Sequence, residues 1–368
     1  LLPFVQASLG LPTRQAGWVL AAFPVAALFG NLALGPWIDR YGRRRFIVVG
    51  APACAVLLVM TALADAGGEL VLWRAVTGIF MPMVGASVFA AVADYVPAER
   101  RVRVIGYVAA AAPVAFLLAM STGMVVGGLL SWRWPLLLIA AVAAGLALAA
   151  LRLPPTPATA LAAGRPTLDT YRARLLSLSV GVDTRLIFVG YFAWAAAVFA
   201  FLGLYPAWAV QRGLAAAGPG AIGAVLFVGE CGGLLGALSA GRIAGWSGRP
   251  LRLCAAVALA TGGVLLTIPL GAGIQWYQAM AYAAFAFGRD LMLALLLGGA
   301  LAMVPATQRG SLNAIMNALY QAGATLGTLA SAWLYAVSPG YYANVIAAAA
   351  LLLLCSGCTG RIGRVRAA

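Results

Sequence analysis

Apolar runs of about twenty residues, parted by short polar breaks, recur along the whole chain, and each is long enough to cross a hydrocarbon core roughly 30 Å thick as a helix. They fall near 16–36, 46–65, 70–94, 102–130 and 133–151, then, after a polar segment, near 183–210, 218–241, 251–272, 275–304, 307–336 and 339–358. Hydrophobic residues make up 64% of the 368 and charged ones 9%, whereas a soluble domain is nearer half apolar and a quarter charged. Barrel strands would be shorter and would alternate in polarity, so the runs predict helices with internally satisfied backbones. The chain reads as an all-α integral membrane protein.

Arginine placement predicts the topology. All 24 basic residues are arginine, histidine is absent, and there are only 9 acidic residues; the missing lysine reads as composition bias. A formal charge of +15 in a soluble protein would suggest nucleic acid, but here the arginines sit at the ends of apolar runs, which places them at a membrane face. Nineteen fall on alternate connections, among them Arg40, Arg43, Arg44, Arg45, Arg100, Arg101, Arg242, Arg249, Arg309 and Arg361, while the opposite connections hold only Arg14, Arg133 and Arg212. The positive-inside rule makes the first set, and the C-terminus, cytoplasmic. Residues 1–9, LLPFVQASL, read as the tail of a further span, and with the opening Leu they predict that most of a first helix is missing from this sequence.

The proline-rich segment 152–182 predicts a cytoplasmic linker between helix bundles 1–151 and 183–368, with Thr167 to Leu176 as a short surface helix. The two bundles resemble each other. VPAERR (Val96 to Arg101) matches VPATQR (Val304 to Arg309) at an offset of 208, and GPWIDRYGRR matches GRIAGWSGRP at 206, pairing Gly42 with Gly248 and Arg43 with Arg249. Parallel repeats of this kind build transporters with a site between the halves.

The stretch Gly35 to Arg44, G-x-x-x-D-R-x-G-R-R, closes the run near 16–36 and resembles the signature of the major facilitator superfamily. LWRAVTG (Leu72 to Gly78), WRW (Trp132 to Trp134) and the weakened copy at Gly241 to Arg249 extend the likeness over the chain. It implies two six-helix bundles related by a pseudo-two-fold axis, and a cytoplasmic latch made by Gly35, Asp39, Arg40, Gly42, Arg43 and Asp94. Glycines there permit close backbone approach at a tight turn, and Asp39 can face the N-terminal end of a helix. The plain alternative is a loop whose arginines only set topology. The likeness also makes Arg74 a cavity residue that orients a proton-carrying group. Drug:proton antiporters often carry G-x-x-x-G-P-x-x-G-G in the fifth helix; AMSTGMVVGG (Ala119 to Gly128) keeps Gly123, Gly127 and Gly128 but has Ala119 and Met124 in place of the first Gly and the Pro.

Three charges lie near the middle of spans, where an unpaired one costs several kcal/mol: Glu230 in 218–241, and Arg289 with Asp290 in 275–304. Neighbours on a helix point about 100° apart, so Arg289 is expected to pair with Glu230 and leave Asp290 without a partner, facing the cavity as a substrate or proton site. The alternative is a purely structural network. Asn313, Asn317 and Gln321 share one helix face and either line the cavity or tie helices together, with Tyr320 close by. Tyr191, Trp194 and Tyr205 suit an apolar pocket, whereas Trp208, near the span's end, reads as an interface anchor.

No enzymatic constellation is present: there is no G-x-x-x-x-G-K-[ST], no histidine, and no paired Ser/Lys or metal set. GECGGLLG (Gly229 to Gly236) is glycine-rich but mid-span, which predicts helix packing rather than phosphate binding. Cys355-x-x-Cys358 has no second ligand pair, so these cysteines read as packed thiols, and no cofactor or metal is implied. The expectation is a monomeric secondary transporter of the inner (plasma) membrane, a proton-coupled antiporter for efflux of small apolar or amphipathic compounds, whose partners are substrate, protons and lipid. A sugar or metabolite carrier is the alternative, and a non-transporting sensor a third.

Overall fold

The computed structural model describes residues 2–95, 114–115, 123, 125–155, 181–214, 220–247, 249–303 and 309–362. Among them the regular structure is helical throughout. The helices are α1 (Leu2–Leu9), α2 (Thr13–Tyr41), α3 (Arg43–Leu63), α4 (Gly67–Tyr95), α5 (Arg133–Ala150), α6 (Val182–Leu202), α7 (Tyr205–Gln211), α8 (Ala221–Ser247), α9 (Pro250–Thr267), α10 (Gln275–Met303), α11 (Arg309–Val337) and α12 (Tyr342–Arg361). Seven helical segments among the described residues are long and apolar enough to span a membrane. The segments 96–113, 116–122, 156–180 and 304–308 lie outside the described residues, and with them most of the expected span 102–130 and of the linker, and the VPA of both repeat copies.

Packing partners recur between the two parts of the chain. In the first, α2 lies on α4, and α3 on both α4 and α5; in the second, α8 lies on α10, and α9 on α10 and α12, with α6 against α11 and α12. Helix α4 and helix α10 are each 29 residues long and are offset by 208 at both ends. The sequence repeat is thus also a repeat of helix placement. The two parts meet where α2 runs along α11.

Lipid tails are as apolar as leucine, so helices in a membrane associate through close van der Waals packing at small residues. The α8–α10 seam follows this rule. A Cβ added at Gly232 would stand 2.3 Å from the Ala283 carbonyl oxygen, and one at Gly236 would stand 2.2 Å from that of Phe287. At Gly229 the same atom would fall 1.5 Å from the Tyr282 ring. The glycine-rich stretch is therefore a helix-packing face. Helix α5 is peripheral, with 17% of its apolar window buried, and it turns Leu138, Val142 and Leu146 outward; the segment Val182–Gln211 is central, with 61% buried.

Three expectations change. The signature does not end α2 at Gly35: the helix continues through Tyr41, Gly35 lies inside it, and the turn falls at Gly42, whose φ of 91° favours glycine. The span near 183–210 is two helices, broken at Gly203–Leu204. Pro206 has no N–H to continue the ladder and crowds the carbonyl four residues back. The freed carbonyls find donors on α12 and the turn before it: Tyr341 Oη donates to the Phe201 oxygen, and Asn344 Nδ2 to that of Ala200 at 3.4 Å. Finally, Trp208 is no interface anchor, being 1% exposed and stacked on Tyr341 at 5.1 Å. The break turns it inward.

Gly232→Ala is expected to cost about 1–3 kcal/mol through overpacking, seen as a lower melting temperature of the detergent-purified protein. Gly263→Ala, where an added Cβ meets nothing within 4 Å, should leave it unchanged or raise it, since alanine suits a helix interior better than glycine.

Candidate functional site

Arg289 is the central residue of α10, and three of its nitrogens are engaged by two carboxylates. Toward α8, Nη1 and Nη2 donate to Glu230 Oε1 at 3.1 Å and Oε2 at 2.6 Å; along its own helix, Nε and Nη2 donate to Asp290 Oδ1 at 2.9 Å and Oδ2 at 2.8 Å. Both contacts are two-pronged, the arrangement that a planar guanidinium suits better than an ammonium. The pairing of Arg289 with Glu230 follows the sequence reading. The expectation that Arg289 and Asp290 could not neutralise each other is corrected: the Cβ directions diverge, but the long arginine stem folds back so that the guanidinium edge meets the adjacent carboxylate.

The triad is dry on one side. Glu230 is fully buried, while the side chain of Asp290 keeps 13% of its surface accessible. Glu230 also accepts from Tyr282 Oη at 2.8 Å. Tyr282 is held by stacking on Tyr205 at 5.3 Å, and Tyr205 Oη donates to Gln278 Oε1 at 3.0 Å. Gly233 makes room for the charges, since a Cβ there would lie 2.4 Å from Asp290 Oδ2 and 3.0 Å from Arg289 Nη2. Sequence reading missed Tyr282 and Gly233, although spacing held the signal: Tyr282 lies two turns before Arg289, and Gly233 one turn after Glu230, on the same helix faces.

Aromatic side chains of α6 and α11 pack against one another. Tyr320 of α11 is half-buried. Its ring is 6.0 Å from Trp194 and 5.7 Å from Phe199, edge-on to the latter, and Trp194 is 5.3 Å from Tyr191. Trp194 is 2% exposed, and its indole Nε1 has no hydrogen-bond partner among the described residues.

The remaining candidates fall elsewhere. Arg74 donates through Nε to the Val19 carbonyl at 2.7 Å and lies 5.9 Å over the Phe23 ring, which fastens α4 to α2. Asn317 Nδ2 donates to Asn31 Oδ1 at 2.7 Å, a tie between α11 and α2, and Gln321 is half-buried one turn on. The side chains of Asn313 and of the latch residues Asp39, Arg40 and Asp94 lie outside the described part. Arg44 donates to the carbonyls of Leu153 at 2.6 Å and Leu151 at 3.1 Å, closing the end of α5. Cys355 and Cys358 are buried free thiols.

A bundle of membrane-capable helices with a charge cluster at mid-helix defines a multi-pass membrane protein. Residues 1–297 match the Major Facilitator Superfamily. The chain belongs to that superfamily, and it is a transporter rather than an enzyme. It is 24% identical to the uncharacterized MFS-type transporter YceJ of Bacillus subtilis (strain 168), over 97% of this chain and 89% of that protein. Similarity to a D-xylose transporter of Levilactobacillus brevis is 30% over 45% of this chain and 38% of that protein. To the puromycin resistance protein pur8 of Streptomyces alboniger it is 34% over 42% and 31% respectively.

Removing one partner from a buried ion pair costs about 3–5 kcal/mol, whereas losing a hydrogen bond to a charged group costs about 1.5–3 kcal/mol. Arg289→Leu, which strands two carboxylates, should therefore abolish the folded yield in size-exclusion chromatography. Tyr282→Phe should only lower the melting temperature.

Proposed function

We propose that the protein is a proton-coupled secondary transporter that exports small apolar or amphipathic compounds by alternating access. The observation that carries this reading is the triad: one guanidinium serves two carboxylates at mid-depth, so the group has one negative charge in excess when both are ionised. Such a group in a low-dielectric setting is relieved by taking up one proton. Asp290 is the group proposed to carry it. Glu230 is fully buried and receives two bonds from Arg289 and one from Tyr282. Asp290 receives bonds from Arg289 alone among the described residues, and its side chain keeps 13% of its surface accessible. Intramembrane carboxylates at accessible positions are the usual elements of proton relays.

Similarity to a drug-resistance protein supports export, because a carrier protects a cell from a toxic compound by lowering its internal concentration. The similarity to a D-xylose transporter favours a second reading, a sugar carrier, in which Tyr191 and Trp194 would stack on a pyranose. Further parts of the proposal rest on sequence. The bundles 1–151 and 183–368 rock about the site, joined by 152–182; Gly35, Asp39, Arg40, Gly42, Arg43 and Asp94 latch them on the cytoplasmic side; Arg74, Asn313, Asn317 and Gln321 border the cavity; the chain works as a monomer in the inner membrane with its C-terminus inside.

The test is a substrate screen in proteoliposomes with an imposed pH gradient. Asp290→Asn should abolish gradient-driven accumulation while leaving substrate exchange without a gradient within about twofold, since a neutral amide fixes one protonation state. Normal accumulation by this variant would remove Asp290 as the coupling group. Asp39→Asn should slow transport without an equal loss of binding affinity, because a latch sets the balance of open states and not the pocket; equal losses would count against it.

A further inference from the structure

We infer that the protein holds one membrane phospholipid by an acyl chain laid in a groove between the first turns of α8 and α10. Further along, the two helices close on each other at Gly232 and Gly236, and the Tyr282 ring fills the notch at Gly229. Before that point the seam has side chains on both walls: α8 presents Ala224, Val225 and Val228, and α10 presents Gln275, Trp276 and Ala279. They hold open a groove of about 360 Å³, at the small end of the range of about 300–1,000 Å³ for small-molecule sites. Three observations identify the occupant. First, the groove opens away from the bundle interior. Leu226, Tyr282 and Phe285, each 1% exposed or less, seal its inner side, while exposed Phe227 and Leu235 on α8 and Met280 on α10 continue it outward. Helices of this length turn such faces to hydrocarbon, so the groove is part of the lipid interface and apart from the ion cluster. Second, its lining belongs to the first turns of two membrane-capable helices, and its mouth carries Gln275 and Trp276, the latter 69% exposed. Tryptophan concentrates where acyl chains meet headgroups. Third, the charge at this end suits a phosphate. Residues 205–229 and 262–288 contain no acidic side chain. Their cation is Arg212, whose backbone oxygen lies 3.7 Å from where a Cβ on Gly273 would stand, two residues before Gln275. Its exposed guanidinium donates to the Pro339 carbonyl at 3.4 Å. A phosphate at the mouth meets attraction and no opposing carboxylate.

Phosphatidylglycerol brominated near the carboxyl end of its acyl chains quenches indole fluorescence on contact, so titrating it into the detergent-purified protein reads occupancy of the groove. The difference between the emission of the protein and that of Trp276→Phe isolates Trp276. Its quenching should saturate at about one lipid per protein, and Ala279→Phe, which fills the groove, should weaken binding at least about tenfold. If Ala279→Phe does not fold, Ala224→Phe obstructs the opposite wall from an exposed position and takes its place. Arg212→Gln should weaken the brominated phosphatidylglycerol about two- to fivefold, as an exposed charge pair does, and leave brominated diacylglycerol, which has no phosphate, unchanged. Quenching that rises with lipid and does not saturate marks ordinary solvation of the surface and overturns the inference, as does unchanged binding in the groove-filling variants. A dimer whose Trp276 no brominated lipid reaches would give the groove to a second copy of the chain and overturn it too. Phosphatidylglycerol binding that ignores Arg212→Gln would make the occupant a neutral lipid and overturn the phosphate assignment.

Discussion

One guanidinium between two carboxylates organises the second half of this protein. Arg289 is at the centre of a 29-residue helix and buried, and a lone arginine at the middle of a membrane span would be among the costliest residues a chain can carry. Its cost is offset only because Glu230 is brought against it from α8 and Asp290 is met along α10. That requires the two helices to lie unusually close, which the glycines at 229, 232, 233 and 236 permit. The packing of Tyr282 on Tyr205 completes the arrangement by directing a hydroxyl at Glu230. Seam, charges and aromatic support thus depend on one another, and each is intelligible only with the others in place.

Much of this was legible in the sequence, for definite reasons. Span length follows from bilayer thickness, so the helices appear within a few residues of where the apolar runs put them. The family likeness rested on the motif from Gly35 to Arg44 and agrees with the match over residues 1–297. Charge in a span is rare enough that Glu230, Arg289 and Asp290 stood out unaided. What could not be read is how side chains bend. Adjacency on a helix argued that Arg289 and Asp290 point apart, and the reach of a long arginine overrode it. Pro206 was visible, yet its consequence depended on Tyr341 and Asn344, over 130 residues away, supplying the donors that make a broken helix tolerable in a membrane.

The repeat clarifies Arg74. With α4 and α10 offset by 208 at both ends, Arg74 is the counterpart of Tyr282. Each donates across the seam to the helix on which its own helix packs: Arg74 to the Val19 carbonyl of α2, and Tyr282 to the Glu230 carboxylate of α8. The counterparts of Arg289 and Asp290 at this offset are Met81 and Pro82. One scaffold, used twice, carries the ionised cluster in one copy alone among the described residues.

The glycine seam has a consequence for how such a protein can change. The separation of Glu230 from Arg289 is set by the thickness of two backbones, with no side chain between them to yield. Any residue larger than glycine at 232 or 236 would act as a wedge, lengthening the bonds that Arg289 and Tyr282 make across the seam to Glu230. The strength of charge pairing is therefore adjustable from positions that bear no charge. Divergence between relatives at these uncharged sites would retune the electrostatics of the cluster while every ionisable residue stayed the same.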